Sequence, residues 1–239
     1  MAQLNGAQIT WLGHATFKVT TPQNKVILID PWIEGNPKSP AEAKQLDQVD
    51  LILVTHGHSD HIHDAVPLAK KFNAHVLAIV ETATGIGSQG VENVVGFNIG
   101  GSINAQGITI SMTQAFHSSG IDGSDQTVYG GDPVGFVIEL ENGLKLYHAG
   151  DTCAFGDMQL IRELYAPDIA MLPIGDFYTM GPKGAALATR LLGVQHVIPM
   201  HYGTFPILIG TPMQLKDELV KLGLERVEVI EMTPGQTIK

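Results

Sequence analysis

The chain has 239 residues, of which 44% are hydrophobic and 16% charged, and its formal net charge is −10. The hydrophobic fraction excludes a disordered chain, and the acidic balance argues against nonspecific nucleic-acid binding and against a polybasic membrane surface. A single cysteine, Cys153, excludes an intramolecular disulfide. There is no signal-peptide pattern, and no apolar run approaches the ~20 residues of a membrane span, so we expect a cytoplasmic protein.

Short apolar runs separated by turn residues dominate the chain, which is typical of many short strands with helices between them. No Pro- or Ser-rich linker divides the sequence, so we predict one domain over residues 1–239. In chain order, the predicted elements are an antiparallel meander of strands at 8–12, 16–20 and 25–30, a short helix from 39, a strand at 50–55, a helix at 65–72, strands at 75–80, 108–112, 134–141 and 144–148, a helix at 157–164, a strand at 169–172, a helix at 182–192, a strand at 196–199, a helix at 212–222 and a strand at 227–232.

Three local signals fix the ends of these elements. Ser39-Pro40-Ala41-Glu42 and Thr211-Pro212-Met213-Gln214 are both capping-box patterns at helix starts. Asn142-Gly143 predicts a hairpin, because both residues tolerate positive φ. The order of elements, rich in strands and then alternating strands with helices in each half, indicates two central sheets with helices outside.

The chemistry is concentrated in Thr55-His56-Gly57-His58-Ser59-Asp60-His61, directly after the predicted buried strand at 50–55. Imidazole and carboxylate groups are suitable ligands for zinc and neighbouring metals. Side chains alternate along an extended segment, so His56 and His58 point the same way, whereas Asp60 and His61 follow the turn and face a second point. One short loop can therefore serve two metal ions.

This His-x-His-x-Asp-His pattern resembles the metallo-β-lactamase-fold hydrolases. That family also has a third His, a bridging Asp and a last His at strand ends, and this chain offers His117, Asp151 and His201 in that order. The segments Trp11-Leu12-Gly13-His14-Ala15 and Gly175-Asp176-Phe177-Tyr178-Thr179-Met180-Gly181-Pro182 are similar to the metal-dependent hydrolase branch close to the ascorbate-6-phosphate lactonases and, more distantly, to N-acyl-phosphatidylethanolamine phospholipases.

The resemblance implies an α/β (α+β) four-layer αββα sandwich with two mixed sheets and helices outside. It also implies a dinuclear site for two divalent ions, zinc or manganese, in which a metal-bridged hydroxide attacks a small-molecule ester, lactone or phosphodiester. Asp60 and Asp151 are the implied catalytic residues, with Asp60 orienting the water or taking its proton. The implied ligands are His56, His58 and His117 for one ion, Asp60, His61 and His201 for the other, and Asp151 as the bridge.

Other side chains are candidates for contact with substrate or with the ligands. We predict such roles for His14, Asp176 and Tyr202. His63 and Cys153 are close in sequence to the ligands, but the family pattern does not need either of them. Residues 118–133 form a long Gly-, Asp- and Ser-rich segment after His117 and are a lid candidate, and residues 175–184 are a second candidate wall of the pocket.

Alternatives remain open at this point. Residues 85–90 fit Gly-x-Gly-x-x-Gly, but the strand-like run after them and the lack of an acid near residue 110 argue against a dinucleotide site. A nucleic-acid or cyclic-nucleotide phosphodiesterase shares the fold, although the net charge of −10 argues against nucleic acid as partner. A diiron oxidoreductase and a non-catalytic metal-binding protein are further alternatives. A homo-oligomer is also compatible with the sequence.

Overall fold

The computed structural model of the chain describes residues 3–122 and 126–239. Within those ranges no helix is long and apolar enough to cross a membrane. The strands are β1 (Gln8–Trp11), β2 (Phe17–Thr20), β3 (Val26–Ile29), β4 (Leu51–Leu53), β5 (His75–Ile79), β6 (Val94–Phe97), β7 (Ser102–Ala105), β8 (Ile108–Gln114), β9 (Gly120–Asp122), β10 (Thr127–Tyr129), β11 (Val134–Glu139), β12 (Lys145–His148), β13 (Ile169–Pro173), β14 (His196–Met200), β15 (Glu228–Val229) and β16 (Thr237–Ile238). The α-helices are α1 (Ser59–Ile62), α2 (Ala65–Phe72), α3 (Val80–Ser88), α4 (Met158–Tyr165), α5 (Pro182–Leu192) and α6 (Pro212–Lys221).

Two seven-stranded mixed sheets make the centre of the molecule. The first sheet has the order β16-β1-β2-β3-β4-β5-β6, with β1 to β3 as an antiparallel meander and β3 to β6 parallel. The second has the order β15-β14-β13-β12-β11-β8-β7, with β12 to β15 parallel. The meander and the α/β fold class with two mixed sheets are confirmed.

The alternation of side chains along each strand builds three apolar layers. In β4, Leu51 and Leu53 enter the core between the two sheets, whereas Ile52 faces the side covered by α2 and α3. The second sheet is covered on its outer face by α4, α5 and α6. Strands covered on both faces read as continuous apolar runs, which is why residues 50–55 carry no polar alternation.

The sheet directions bring the carboxyl ends of several strands to one side of the molecule. In the first sheet β1, β3 and β4 run the same way, because β2 is antiparallel to both of its neighbours. In the second sheet β8 runs the same way as β12, β13 and β14, because β11 is antiparallel to β8 and to β12. Loops that follow these strands therefore meet at one edge of the sandwich.

Of the three local signals at element ends, two are confirmed and one is wrong. The Thr211 capping box is present, with Gln214 N donating to Thr211 Oγ1 at 3.3 Å, and a hairpin turn at Asn142-Gly143 joins β11 to β12. The Ser39 prediction is wrong, because extended Pro40 is the N-cap of a 3₁₀ turn over Ala41–Lys44 and has no side-chain cap bond. Two of the glycines in residues 85–90 lie inside α3 rather than before a helix, which removes the phosphate-loop geometry.

Candidate metal centre

Six predicted ligands gather into two groups at this edge. The donor atoms of His56, His58 and His117 lie within 4.8 Å of one another, and we call these residues the first donor group. His56 Nε2 and His58 Nδ1 are 3.0 Å apart. The donor atoms of Asp60, His61 and His201 also lie within 4.8 Å of one another and of a ring nitrogen of His14. We call Asp60, His61 and His201 the second donor group. The two groups coincide with the two ligand sets that the family resemblance implies.

Asp151 lies between the groups. Its Oδ2 is 3.0 Å from His201 Nε2, 3.4 Å from His61 Nε2, 3.6 Å from His117 Nε2 and 4.0 Å from His56 Nε2. One carboxylate oxygen thus faces imidazoles of both groups, which is the position that a bridging ligand requires. Gly150 precedes Asp151 with a φ of +61°, and a Cβ there would approach the carbonyl oxygen of Val134, so the approach of this loop depends on glycine.

The donor atoms fit divalent ions in two respects. Metal–nitrogen bonds of about 2.0–2.1 Å bring neighbouring donors to roughly 3.0–3.4 Å from one another, close to several of the separations here. In addition, His61 Nε2, His201 Nε2 and Asp151 Oδ1 are buried and make no hydrogen bond within the described residues. Buried polar atoms without partners are costly in a closed protein, and metal coordination would satisfy them.

A buried carboxylate that the sequence reasoning missed holds ligands of both groups. Asp30 Oδ2 accepts from His61 Nδ1 at 2.9 Å and from Thr55 Oγ1 at 2.7 Å. Thr55 Oγ1 lies 3.0 Å from Nδ1 of His56, and Asp30 Oδ1 accepts from Thr55 N. Asp30 therefore fixes His61 directly and His56 through Thr55. Its signal in the sequence is an acid at the end of an apolar strand beside β4.

His14 occupies the other side of the second donor group. Its Nε2 is 3.0 Å from Asp60 Oδ2, its Nδ1 is 2.9 Å from Thr204 Oγ1, and its ring lies 3.8 Å from that of His201. Both ring nitrogens are therefore engaged, and the structure gives His14 the contacts of a positioning residue. The carbonyl oxygen of His14 also accepts from His201 N, so the same residue aligns two members of the group.

Left-handed backbone conformations cluster at these positions. His14, Asp30 and His201 have φ values of +55°, +47° and +55°. Such conformations cost free energy for residues other than glycine and are typically retained where function requires them. Here the three residues follow the ends of β1, β3 and β14, on the side of the molecule where the donor atoms gather.

Burial and charge set the protonation of the centre. Burial raises the pKa of Asp151, but His201 and His61 outweigh it and hold that pKa well below its usual range. Burial lowers the pKa of His56 well below the ordinary value, and His61 lowers it further. For His61 burial also acts downward, but Asp151 and Asp30 raise its pKa well above the ordinary value. Without metal, the two carboxylates beside His61 therefore favour its protonated form.

The pKa of Asp60 is also held low. Burial raises the pKa of this carboxyl, but the hydrogen bond from His14 and the charge of His61 lower it by more, so the group stays ionised. Its side chain is 28% exposed, unlike the buried donors around it. Asp60 is therefore the carboxylate of the centre that solvent and a ligand can reach.

The remaining predicted residues have other contacts. Asp176 is exposed, and its Oδ1 accepts from Phe177 N at 2.8 Å. Tyr202 stacks on Trp11 at 5.4 Å between ring centroids, and burial together with Glu231 raises its pKa to about 12. Substrate contact by these two residues stays a prediction. His63 is half exposed and bonds Asp64, and Cys153 is exposed.

The lid candidate at residues 118–133 adjoins the first donor group. Gly57 N donates to Ser119 Oγ at 3.2 Å, and Ser118 Oγ lies 3.4 Å from His58 Nε2. Part of the segment forms the hairpin of β9 and β10. Residues 123–125 of the predicted lid lie outside the described residues, and the lid role stays a prediction.

Comparison with known proteins agrees with this geometry. A family model described as the Beta-lactamase superfamily domain matches residues 25–202. The chain belongs to this superfamily. It is 53% identical over 236 residues to a UPF0173 metal-dependent hydrolase of Rubrobacter xylanophilus, with 98% of this chain and 97% of the relative covered. A UPF0173 metal-dependent hydrolase of Koribacter versatilis is 51% identical, with 98% of each chain covered.

A solved structure extends the match to the whole fold. Igni18, described as a novel metallo hydrolase from the archaeon Ignicoccus hospitalis, is 40% identical, with a TM-score of 0.84 and 97% of each chain covered. The chain is therefore a member of the UPF0173 metal-dependent hydrolase family within the metallo-β-lactamase superfamily. The superfamily prediction is confirmed, whereas these relatives give no support to the narrower likeness to ascorbate-6-phosphate lactonases.

Proposed function

We propose that this protein is a dinuclear metal-dependent hydrolase acting on a small-molecule ester, lactone or phosphodiester. The observation that carries the proposal is the position of Asp151, whose Oδ2 faces imidazoles of both donor groups at 3.0–4.0 Å. A carboxylate in that position can serve two ions at once. The buried donor atoms that lack hydrogen bonds support the same proposal.

The first donor group would hold one ion and the second donor group the other, with Asp151 shared. Imidazole and carboxylate donors suit zinc and manganese. Bound divalent ions lower the pKa of water and polarise a carbonyl or phosphoryl oxygen. Each imidazole must be neutral to donate, so ion binding requires His61 to release its proton.

Side chains of the protein orient the attacking water and receive its proton. Asp60 Oδ2 is occupied by His14, which fixes the plane of the carboxylate. Asp60 Oδ1 lies 4.0 Å from His61 Nε2. We assign to Asp60 the orientation of the attacking water and the acceptance of its proton, because Asp60 is ionised and is the carboxylate of the centre that solvent can reach. Asp30 and His14 act by positioning donors rather than by touching the reacting atoms.

The test begins with protein stripped by a chelator and reloaded with zinc or manganese. We expect two ions per chain by elemental analysis and hydrolysis of at least one member of a panel: a sugar-phosphate lactone, its unphosphorylated counterpart, simple esters and an activated phosphodiester. Asp151→Ala is the blank, and we expect it to lose both metal and activity. Wild-type activity in Asp151→Ala would exclude the dinuclear mechanism. A reloaded protein inert to the whole panel would contradict the proposed reaction class.

A further inference from the structure

The loop after β13 lies between two loops that carry predicted metal ligands. In the second sheet β13 lies between β12 and β14, and all three strands are parallel. The loop after β12 carries Asp151 and the loop after β14 carries His201. Between these two ligand loops, the chain places residues 176–178, which we call the aromatic turn, with the sequence Asp-Phe-Tyr.

The aromatic turn is tied to both neighbouring ligand loops. Met180 N donates to the carbonyl oxygen of Thr152, the residue after Asp151, at 3.0 Å, and Asp176 N donates to Met180 O. On the other side, a Cβ on Gly175 would collide with the carbonyl oxygen of His201, so glycine permits this close approach. The turn is therefore held at the centre rather than free on the surface.

The turn is strained. Asp176 and Phe177 have φ values of +66° and +59°, and Phe177 N donates to the carboxylate of its own neighbour, Asp176, at 2.8 Å. A bulky aromatic residue in the left-handed region is an outlier, and such strain is typically retained at functional sites. Burial of the Phe177 side chain does not offset this strain, because the residue is 64% exposed.

Two aromatic pairs belong to segments that are hydrogen-bonded to Thr152, the residue after Asp151. Phe177 and Tyr178 pack edge to face at 4.7 Å, and Tyr178 is 56% exposed. Phe116, which precedes His117, is 56% exposed and packs on Phe155 at 5.1 Å. Phe116 N donates to Thr152 Oγ1 at 3.0 Å, so Thr152 anchors both pairs. Exposed apolar rings beside a reactive centre mark a binding surface rather than a packing defect.

The donor groups have no basic partner among the described residues. Among residues 3–122 and 126–239, no Lys or Arg makes an ion pair or a hydrogen bond with a member of either donor group or with Asp151. The residues outside those ranges include no Lys or Arg. Exposed Lys38 packs with its backbone and Cβ against Gly13, the residue before His14. A Lys or Arg side chain is a common partner for a phosphate that does not react.

We propose that the aromatic turn and the Phe116–Phe155 pair bind an uncharged apolar or aromatic group next to the scissile bond. This inference rests on the proposed function and narrows it. The substrate class is an uncharged ester or lactone with an apolar substituent, not a phosphorylated compound. Phe177 and Tyr178 are then specificity-determining residues that touch substrate, while Asp176 holds the turn in shape.

The test compares Phe177→Asn with wild type and with Leu164→Ala. Asparagine tolerates the left-handed conformation, so this variant removes the ring and keeps the turn. Leu164 is 71% exposed on α4 and serves as the matched control. Substrates are ethyl acetate, ethyl phenylacetate and benzyl acetate, which place the ring on neither side, the acyl side or the alcohol side of the scissile bond. Metal content and melting temperature are measured for every protein.

We expect wild type to prefer one of the aromatic esters over ethyl acetate. Phe177→Asn should lose about tenfold in kcat/KM for that ester, mainly through KM, and less than about twofold for ethyl acetate. Its metal content and melting temperature should not fall, and Leu164→Ala should match wild type. Equal loss on all three esters, or no loss, would overturn the specificity role.

A second experiment tests for recognition of a phosphate group. It compares the sugar-phosphate lactone with its unphosphorylated counterpart in wild type and in Lys38→Ala. We expect the unphosphorylated lactone to be the better substrate and Lys38→Ala to change neither rate. A preference for the phosphorylated lactone that Lys38→Ala removes would overturn the inference. The alternative occupant of this aromatic surface is a second copy of the chain, and sedimentation tests for it. A wild-type dimer that Phe177→Asn converts to monomer, with unchanged kinetics, would show that a second copy binds there and would overturn the inference.

Failure of the inference is separable from failure of the proposed function. If the reloaded protein cleaves esters without regard to the ring, only the inference fails. If it cleaves nothing in either panel, the reaction class fails, and calorimetry with phenylacetate and acetate then decides the binding surface. Tighter binding of phenylacetate that is lost in Phe177→Asn would support the aromatic turn, and equal binding of the two carboxylates would overturn it.

Discussion

The candidate metal centre has a buried half and an open half, and the two halves differ in how strongly folding depends on them. The buried half comprises His56, His61, Asp151 and His201, which are 0–2% exposed. The open half comprises His58, Asp60 and His117, with partly exposed side chains. In the buried half, charge and folding are coupled, because a buried ion without its partner is costly. In the open half, the same residue types can hold metal and face substrate with little effect on folding.

The largest expected effect comes from breaking the centre of the buried half. Asp151→Asn should reduce metal content to background and activity at least about 1,000-fold, because the shared ligand is lost. The metal-free variant should also lose about 1–3 kcal/mol of unfolding free energy, since protonated His61 keeps only Asp30 of its two carboxylate partners. Urea unfolding and elemental analysis test both points. Full metal content with a normal unfolding midpoint would contradict the assignment.

The two halves can be compared within one donor group. His56→Ala and His58→Ala should both lose the ion of the first donor group and most activity. The metal-free proteins should differ, because His56 is buried and bonded to Thr55, whereas His58 is half-buried. We expect a loss of about 2 kcal/mol for His56→Ala and less than about 1 kcal/mol for His58→Ala in urea unfolding. Equal losses would remove the distinction between the halves.

The positioning role of Asp30 sharpens the comparison further. Asp30→Asn should weaken metal binding about 10- to 100-fold while leaving every donor atom present. Asp64→Asn is the matched control, because Asp64 is also buried but bonds Glu34 N, Ile33 N and His63 instead of a donor. Competition with a metal indicator measures both affinities. The interpretation fails if the two variants bind metal equally well.

The pH dependence of the metal-free protein tests His14. Burial, helped by His201, lowers its pKa to about 4, so the folded protein resists a proton that the unfolded chain takes up near pH 6.5. The unfolding free energy should therefore fall from pH 6.5 towards pH 4, with about 3 kcal/mol arising from His14. His14→Asn keeps the left-handed backbone and removes this contribution. Parallel pH profiles for the two proteins would refute it.

The smallest effect is expected at Cys153. This residue lies two positions after Asp151, but it is exposed and belongs to none of the groups of donor atoms in the described residues. Cys153→Ser should keep its metal and remain within about twofold of wild-type activity. Loss of metal in this variant would place a thiolate in the site and reopen the ligand assignment.

Much of the centre could be predicted because its pieces are local. Residues 50–61 predict both features within a dozen positions: an apolar run predicts the strand, and His56, His58, Asp60 and His61 predict the type of ligand. His117, Asp151 and His201 were found only through the resemblance, since a single His or Asp after a strand carries little information by itself. Asp30 was missed for the same reason.

Similar capping patterns had different outcomes at two helix starts. Ser39 and Thr211 begin similar capping patterns, yet only Thr211 caps its helix. For residues 85–90 the sequence argued against a dinucleotide site, and the structure agrees, because two of these glycines lie inside the helix Val80–Ser88. Helix boundaries are decided by neighbouring packing as well as by the pattern, so the same few residues can have different outcomes.

The sequence by itself determined the alternation of strands and helices, the residue types of the candidate donors and the net charge of −10. These properties depend on side-chain type and on spacing of a few residues. The tertiary structure decided that Asp151 lies between two donor groups, that Asp30 and His14 hold them, and that the aromatic turn rises between two ligand loops. Those relations depend on sheet order, which joins residues more than a hundred positions apart, and no local pattern encodes such an order.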